Sequence, residues 1–275
     1  MVTPRPDAGL SDDVLVAEIR QAYGASADGW TTGPAAIYRH LANALVGVAT
    51  DDLAGARVLD LGTGTGVASE ALLAVGAQPV GVDLAVEMLA HRQAERPPGV
   101  AADAQLLPFR TGVFDAIVAA FSLNHVPDLL RTLTGCRRVL RGGGLLLAST
   151  FPSGDDHPAK TIVEQVLEDH GYRRPAWYGT FKSRVADLTG EPANLERTAR
   201  EAGFASVSVE HVPVEVGLGD PHVAVEWRLN MPHTLAFVAG LDRQTQLALR
   251  RAAIRALVGP LPSAVRMLVL HARTP

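Results

Sequence analysis

The chain has 275 residues, enough for one large domain or two small ones, and its hydrophobic content of 47% excludes a disordered chain. Its net charge of −4 gives no basis for nucleic acid or an acidic membrane as the main partner. The lone cysteine, Cys136, excludes an internal disulfide and favours a reducing, cytoplasmic setting. The first 20 residues lack a signal peptide's apolar stretch, and no run of about 18 apolar residues occurs, so we expect no membrane segment.

The predicted elements begin with a loose tail over residues 1–10 and two helices over 11–23 and 33–49. Strands and helices then alternate from residue 57. The predicted strands are 58–61, 79–84, 100–102, 114–121 and 144–150, and the predicted helices between them are 67–75, 86–95 and 127–140. This alternation predicts a parallel sheet with helices on both faces, because parallel strands need long crossover connections.

The last third is less regular. It contains predicted helices at 157–172, 193–204 and over most of 220–258, an aromatic loop at 175–181, and strands at 205–214 and 265–273. No linker separates a second domain, so we predict a single domain over 1–275.

A glycine-rich turn follows the first strand in VLDLGTGTG, residues 58–66. Ligands of open parallel sheets bind beyond the carboxyl ends of the strands, where Gly62, Gly64 and Gly66 fall. Glycine lets the main chain approach a ligand closely, and the amides of the following helix favour a phosphate or a carboxylate. A dinucleotide site would have the spacing G-x-G-x-x-G, but here Val67 stands at the third glycine position.

Carboxylates end the next two strands. Asp83 follows the glycines by about 20 residues, where an acid can accept hydrogen bonds from both ribose hydroxyls. Asp103, beside the backbone of Ala104, could bind an exocyclic amine of a purine. Each aspartate could instead cap a helix or a turn. Polar groups at three successive strand ends favour a nucleoside site over capping alone.

Five segments resemble the successive motifs of class I S-adenosylmethionine-dependent methyltransferases: VLDLGTGTG, GVDLAVEMLA, AADAQLLPF, FDAIVAAFSLNHVPD and CRRVLRGGGLLLAS. The resemblance is closest to the small-molecule group that contains the ubiquinone and menaquinone methyltransferases and many polyketide-tailoring enzymes. It implies an α/β fold with a Rossmann-like sheet of seven mostly parallel strands and helices on both faces. Residues 11–50 would form lid helices, 56–150 the cofactor-binding core, and 151–275 the substrate cover and last strands. One departure is RGGG at 141–144, a turn where the family usually has a proline before the glycine pair.

The resemblance also implies which residues bind the methionyl part of S-adenosylmethionine. The glycine turn, with Gly62, Thr63, Gly64 and Gly66, would surround it. Asp60 would reach its amino group through water.

The nucleoside and the sulfonium have their own implied contacts. Asp83 would bind the ribose, and Leu84 and Met88 would pack on the adenine. Asp103 and Ala104 would bind the adenine amine. Two further residues would lie near the sulfonium: Phe121 and Ser122.

His125 is the candidate catalytic residue. It lies in FSLNHVPD, just past the fourth strand, and faces the expected methyl group. Histidine has an ordinary pKa near neutrality, which suits a general base. The alternative is that His125 caps or packs at the start of the next helix. No metal-ligand spacing such as H-E-x-x-H or C-x-x-C occurs, so we expect no metal, and we expect Cys136 to be a buried structural thiol.

Aromatic residues outside the motifs are candidate substrate contacts, although ordinary core packing is the alternative for each. They are Tyr23, Trp30, Tyr38, Trp177, Tyr178, Phe181 and Trp227, with Met231 and Phe237 as further candidates. Together they predict a cleft covered by apolar and aromatic surface. A hydrophobic acceptor, such as a polyketide or another secondary metabolite, fits such a cleft, and a substrate with several charges should bind poorly.

The predicted reaction is transfer of a methyl group from S-adenosylmethionine to an O, N or C atom of a small molecule, with S-adenosylhomocysteine as product. Three alternatives stay open. The same fold could serve as a non-methylating catalyst such as a cyclase, because the cofactor motifs would be the same. A nicotinamide-dependent oxidoreductase is disfavoured by the glycine spacing and by Asp103. A non-enzymatic binding module is disfavoured by the assembled cleft. The sequence leaves the oligomeric state open.

Overall fold

The computed structural model of the protein describes residues 10–154 and 157–275, so nearly all of the predicted tail at 1–10 lies outside it. The described part contains one sheet of seven strands and thirteen α-helices. The strands are β1 (Arg57–Leu61), β2 (Gln78–Asp83), β3 (Gly99–Ala101), β4 (Phe114–Ala120), β5 (Leu140–Thr150), β6 (Ser206–Glu215) and β7 (Ala264–Arg273). The helices are α1 (Asp12–Gly24), α2 (Ala27–Thr32), α3 (Pro34–Gly47), α4 (Thr50–Leu53), α5 (Val67–Ala74), α6 (Val86–Ala90), α7 (Leu129–Val139), α8 (Pro158–Asp169), α9 (Ala176–Gly190), α10 (Pro192–Glu201), α11 (Pro221–Leu229), α12 (Pro232–Gly240) and α13 (Arg243–Ala256).

The sheet has the order β3-β2-β1-β4-β5-β7-β6, in which β7 alone runs antiparallel to its neighbours. This arrangement confirms the predicted fold class. The strand order reverses at β1, which pairs with β2 on one side and with β4 on the other. A crevice opens at such a reversal beyond the carboxyl ends of the strands. The loops that follow β1, β2 and β4 therefore meet at one place.

Side-chain alternation along the strands divides the core between the two faces of the sheet. Val58 packs with the helical layer that contains Leu41 and Leu72, whereas Leu59 and Leu61 pack with the layer that contains Leu133. This is the two-residue period of a strand that is covered on both sides. The predicted burial of Cys136 is confirmed: the thiol is fully buried in the second layer, and burial raises its pKa to about 12. The thiol is therefore unreactive at neutral pH.

The prediction of an aromatic loop at 175–181 is wrong, because residues 176–181 form the first part of the 15-residue helix α9 and Pro175 is its N-cap. Its buried residues Trp177, Phe181 and Val185 recur every four positions, so they occupy one helical face. That face packs against Leu15 and Ile19 of α1. Tertiary packing between two distant segments thus stabilises a helix whose local composition is typical of a loop.

The observed ends of other helices and strands differ from the predicted ends by a few residues. The helix predicted at 86–95 ends at Ala90, and Arg92, with φ of +51°, separates it from a short 3₁₀ turn at Gln93–Glu95. Such a backbone conformation interrupts a right-handed helix. Strand β5 begins at Leu140, four residues earlier than predicted, because Leu140 already pairs with Phe114 across an irregularity in the register. The short helices α2 and α4 were not predicted.

Candidate active site

The turn after β1 needs glycine at its first position. Gly62 has φ of +71°, and a β-carbon there would lie 2.3 Å from Cβ of Ser122, far inside van der Waals contact. Gly64, with φ of +53°, donates its backbone N–H to Oδ2 of Asp83 at 2.7 Å. The loops after β1, β2 and β4 are therefore in direct contact. Phe121, at the end of β4, also has a positive φ, +57°, a strained conformation that is common at functional sites.

Asp60 lies buried beneath this turn, with 1% of its surface exposed. Its Oδ2 accepts hydrogen bonds from Thr63 Oγ1 at 2.7 Å and from Ser69 Oγ at 2.6 Å. Its Oδ1 has no partner among the described residues. Burial raises the pKa of this carboxyl, and the two hydroxyl donors oppose that shift. A buried carboxylate oxygen without a partner is costly, so a donor such as water or an ammonium group is expected beside it.

Arg96 is a residue of this region that sequence reasoning missed. Its Nη1 donates to the carbonyl oxygens of Gly64 at 2.8 Å and Met88 at 2.9 Å, and its Nη2 donates to Thr63 Oγ1 at 3.1 Å. Burial lowers the pKa of the guanidinium, while Asp60 and Asp83 raise it. Arg96 lies in an ordinary polar run before two prolines, so no local signal marks it. It links the glycine turn to α6.

Asp83 links the loop that follows β1 to the loop that follows β2. Its Oδ1 accepts the N–H of Ala85 at 2.9 Å, and its Oδ2 accepts the N–H of Gly64. Burial raises the pKa of this carboxyl, and the two backbone donors oppose that shift. Each carboxylate oxygen has a second lone pair, so Asp83 keeps acceptor capacity for a ligand hydroxyl.

Asp103 has the capping role that was the alternative for it. It precedes the 3₁₀ turn Ala104–Leu106 and accepts hydrogen bonds from the backbone and the side chain of Gln105, at 2.8 Å to 3.3 Å. Asp103 and Ala104 nevertheless both line the same cavity as Asp83. Capping and ligand contact are therefore compatible at this position.

Two cavities lie at this edge of the sheet. The first cavity, of about 150 Å³, is bounded by the loops after β1, β2, β3 and β4 and by α1 and α3. Most of the predicted cofactor residues line it: Gly62, Thr63, Gly64, Asp83, Leu84, Met88, Asp103, Ala104, Phe121 and Ser122. Asp60 and Gly66 do not line it. Asp60 contacts the turn through Thr63, and Gly66 is the N-cap of α5.

The second cavity, of about 450 Å³, is covered by α9 and α11. Six of the seven predicted aromatic residues line it: Tyr23, Tyr38, Trp177, Tyr178, Phe181 and Trp227. Tyr23 and Tyr38 also line the first cavity, and Trp30 lines the first cavity alone. Met231 lines the second cavity, whereas Phe237 packs against Tyr172 with ring centres 5.6 Å apart.

The two cavities share Tyr23, Tyr38 and His125. Tyr23 Oη lies 3.0 Å from His125 Nε2, and the imidazole stacks on Phe181 at 4.9 Å between ring centres. Burial, assisted by the positive charge of Lys182, lowers the pKa of His125 to about 4. Burial also raises the pKa of Tyr23. Both groups are therefore neutral at pH 7, and one imidazole nitrogen is free of a proton.

The walls of the second cavity are more polar than the sequence predicts. Charged side chains lie among the aromatic ones: Lys160, Glu164, Arg174, Lys182, Asp187 and Arg228. Arg174 and Glu164 form an ion pair at 2.6 Å. The cover therefore contains cations beside the predicted aromatic residues, because the helices of the last third contribute them to the same space.

The first cavity fits S-adenosylmethionine. The free Oδ1 of Asp60 suits an ammonium group or its bound water. A β-carbon on Gly64 would meet no protein atom within 4 Å, which leaves room beside the turn for a ligand. Two carboxylates, those of Asp83 and Asp103, line the cavity with one guanidinium, that of Arg20, and this balance suits a ligand with a sulfonium cation. Among residues 10–154 and 157–275, no cluster of three or more His, Cys, Asp or Glu side chains could hold a metal. No helix within these ranges is long and apolar enough to cross a bilayer.

Comparison with known proteins agrees with this geometry. Residues 59–148 match the methyltransferase domain family. A demethylmenaquinone methyltransferase of Mycolicibacterium gilvum is 40% identical over 111 residues, which cover 40% of this chain and 49% of that protein. The chain thus spans about half the length of the curated relatives it matches.

Solved structures share the fold over nearly the whole chain. A possible histamine N-methyltransferase of Thermotoga maritima, described as S-adenosylmethionine-dependent, has a TM-score of 0.53 and 14% identity, and the match covers 96% of this chain and 100% of that one. The cyclase SpnF has a TM-score of 0.51 and 22% identity, with 86% and 81% covered.

The sheet order and the loop geometry define a class I S-adenosylmethionine-dependent methyltransferase fold, whose cofactor is S-adenosylmethionine. Within that fold, residues 59–148 match the methyltransferase domain family, and a segment of 111 residues is similar to the demethylmenaquinone methyltransferases.

Proposed function

We propose that the protein transfers a methyl group from S-adenosylmethionine to an O, N or C atom of a small molecule that binds in the second cavity. The observation that carries this proposal is the junction of the two cavities at Tyr23, Tyr38 and His125. A cofactor cavity that opens into an aromatic-walled space brings donor and acceptor together. Such positioning supplies about 7–11 kcal/mol in well-oriented reactions.

The chain's own residues would orient the donor. When bound, S-adenosylmethionine supplies an activated methyl group on a sulfonium, which the acceptor atom displaces in line. The glycine turn at 62–66 would receive the methionyl part, with Asp60 near its amino group. Asp83 would accept the ribose hydroxyls, and Leu84 and Met88 would flank the adenine.

The adenine amine and the sulfonium have separate neighbours in this proposal. Asp103 and Ala104 would contact the amine, and the strained Phe121 with Ser122 would lie near the sulfonium. Ser122 Oγ donates to the carbonyl oxygen of Leu61 at 2.5 Å, which positions the loop after β4 against the end of β1.

His125 would accept the proton of an acceptor that arrives protonated. Its neutral imidazole is available at pH 7, and Tyr23 holds it at the junction. A pKa of about 4 makes His125 a weak base, because base strength follows pKa. It therefore suits an acceptor that loses its proton late in the reaction.

A largely apolar acceptor of the secondary-metabolite type, such as a polyketide, agrees with the seven predicted aromatic residues, each of which lines at least one of the two cavities. We place the protein in the cytoplasm without a nucleic-acid or membrane partner, on the grounds of its single cysteine and its net charge. The N-terminal helices and the last third would cover the site.

The test is product analysis. The full chain is incubated with S-adenosylmethionine and a panel of phenolic, amino and enolic small molecules, and S-adenosylhomocysteine is measured by mass spectrometry. Formation of S-adenosylhomocysteine together with a product about 14 mass units heavier, one methylene, supports the proposal. A converted acceptor without S-adenosylhomocysteine would indicate a cyclase or another non-methylating catalyst. Binding of NAD(H) but not of S-adenosylmethionine in calorimetry would refute the proposal.

A further inference from the structure

The second cavity is lined by a buried cation. Arg228, in the last turn of α11, is only 6% exposed. Among the described residues it forms no ion pair, and the acid two positions before it, Glu226, pairs instead with Arg250 at 2.8 Å. Nη2 of Arg228 lies 3.3 Å from His233 Nε2, and its Nε has no hydrogen-bond partner among those residues. Most of its donors are therefore free.

A buried guanidinium without a counter-charge is unusual. Arginine is almost never fully buried unless it is paired, since removing the charge from water is costly. The ring of Trp227 lies 5.2 Å from the guanidinium carbon and compensates only part of that cost. A cation at a helix end can also donate to the last carbonyls, but Arg228 makes no such bond to the described residues.

The surroundings reinforce the positive potential. Burial holds the pKa of His233 well below its ordinary value, and Arg228, Arg174 and Lys182 lower it further. His233 therefore stays neutral and stacks on Tyr178 at 3.9 Å. Of the two acids that line the cavity, Glu164 is paired with Arg174 and Asp187 is exposed at the surface. No described carboxylate neutralises the charge at Arg228.

We propose that Arg228 binds a carboxylate group of the acceptor substrate, while the aromatic or apolar body of that substrate packs against Trp177, Tyr178 and Phe181. This inference rests on the proposed function and narrows its substrate class to acidic molecules with one carboxylate. A guanidinium presents parallel N–H donors that match the two oxygens of a carboxylate. A single carboxylate would balance the charge of Arg228, which no described carboxylate neutralises.

The test compares a neutral and an acidic probe of the same shape. Calorimetry on the full chain measures the affinity for naphthoate and for naphthamide. We expect naphthoate to bind at least about tenfold more tightly, the factor typical of a charge-assisted hydrogen bond. Arg228→Met should abolish the preference, and Arg228→Lys should keep part of it. The control is Arg251→Met, an exposed arginine of α13, which should leave the preference intact.

Equal binding of the two probes to the unsubstituted protein, or no saturable binding of naphthoate, would overturn the inference. So would a preference that survives in folded Arg228→Met. The comparison of naphthoate with naphthamide on the unsubstituted protein tests the inference even if a variant does not fold. S-adenosylmethionine is titrated into the same samples. If S-adenosylmethionine does not bind but naphthoate is still preferred, only the proposed function is refuted. If S-adenosylmethionine binds but naphthoate is not preferred, only the carboxylate site is refuted.

Discussion

The phenol oxygen of Tyr23 lies 3.0 Å from Nε2 of His125, although the two residues stand 102 positions apart in the chain. This contact lies where the two cavities meet, and it joins Tyr23 of α1 to His125 of the loop after β4. The candidate base is therefore positioned by the N-terminal helix. The contact is possible only when α1 is packed over the sheet, so the site is complete only with that helix in place.

Replacing the candidate base should separate chemistry from binding. We expect His125→Ala to lower turnover by about 10²-fold, the lower part of the range for a positioned base, because the proton of the acceptor loses its destination. Affinity for S-adenosylmethionine should change little. Steady-state kinetics and calorimetry measure the two effects. Tyr23→Phe, which keeps the ring and removes the hydroxyl, should lower turnover less. Unchanged turnover in His125→Ala would remove this histidine from the mechanism.

Acid should destabilise the protein partly through His125. The unfolded histidine binds a proton near pH 6.5, whereas the folded one does so only near pH 4. Between these values the unfolded state binds more protons, so stability rises with pH and is lost as pH falls. The loss from this residue should be of the order of 2 kcal/mol at about pH 4.5.

Denaturant unfolding at pH 7 and at about pH 4.5 tests this. His125→Gln should show a smaller acid loss than the unsubstituted protein. His222→Gln, at an exposed position of α11, is the control and should show the full loss. An equal acid loss in His125→Gln and in the control would contradict the half-buried, neutral state of His125.

Gly62→Ala should cost more stability than another alanine substitution at the same backbone conformation. Gly55 has φ of +74° and a β-carbon there would meet no atom within 4 Å, whereas Gly62, at +71°, faces Ser122. The positive φ costs alanine about 1–2 kcal/mol in Gly62→Ala and in the control, Gly55→Ala, alike. The clash should add roughly 1–3 kcal/mol in Gly62→Ala alone. Thermal and denaturant unfolding measure the difference, and equal losses would show that Ser122 yields freely.

Arg96 should matter for cofactor binding although no motif contains it. Arg96→Met removes the bonds to Gly64, Met88 and Thr63, so the glycine turn loses its support. We expect affinity for S-adenosylmethionine to fall about tenfold or more, since hydrogen bonds from a charged group contribute about 1.5–3 kcal/mol each. The control is Arg92→Met, which removes a surface pair with Glu95. Calorimetry that finds equal affinities in the two variants would refute this role.

Much of the fold could be predicted because its signals are local. A strand that is buried on both faces is a continuous apolar run, and a crossover helix follows it within a few residues, so β1, β2 and β4 were predicted to within about two residues. The glycine turn is equally local, since the need for a positive φ at Gly62 leaves a mark at that position alone. The carboxyl ends of neighbouring parallel strands must meet, so Asp83 and Gly64 could be brought together on topology alone.

The sequence by itself thus determined the order of the core strands, the glycine turn and the meeting of Asp83 with Gly64 at the strand ends. Only the tertiary structure decided the remaining features of the site, because these features depend on contacts between residues that are distant along the chain. Helix α9 forms where α1 covers its aromatic face, and Arg96 contacts a turn about thirty residues before it. The low pKa of His125 arises from burial, and Arg228 is buried without a carboxylate partner among the described residues; burial is a property of the packed chain and of no single segment.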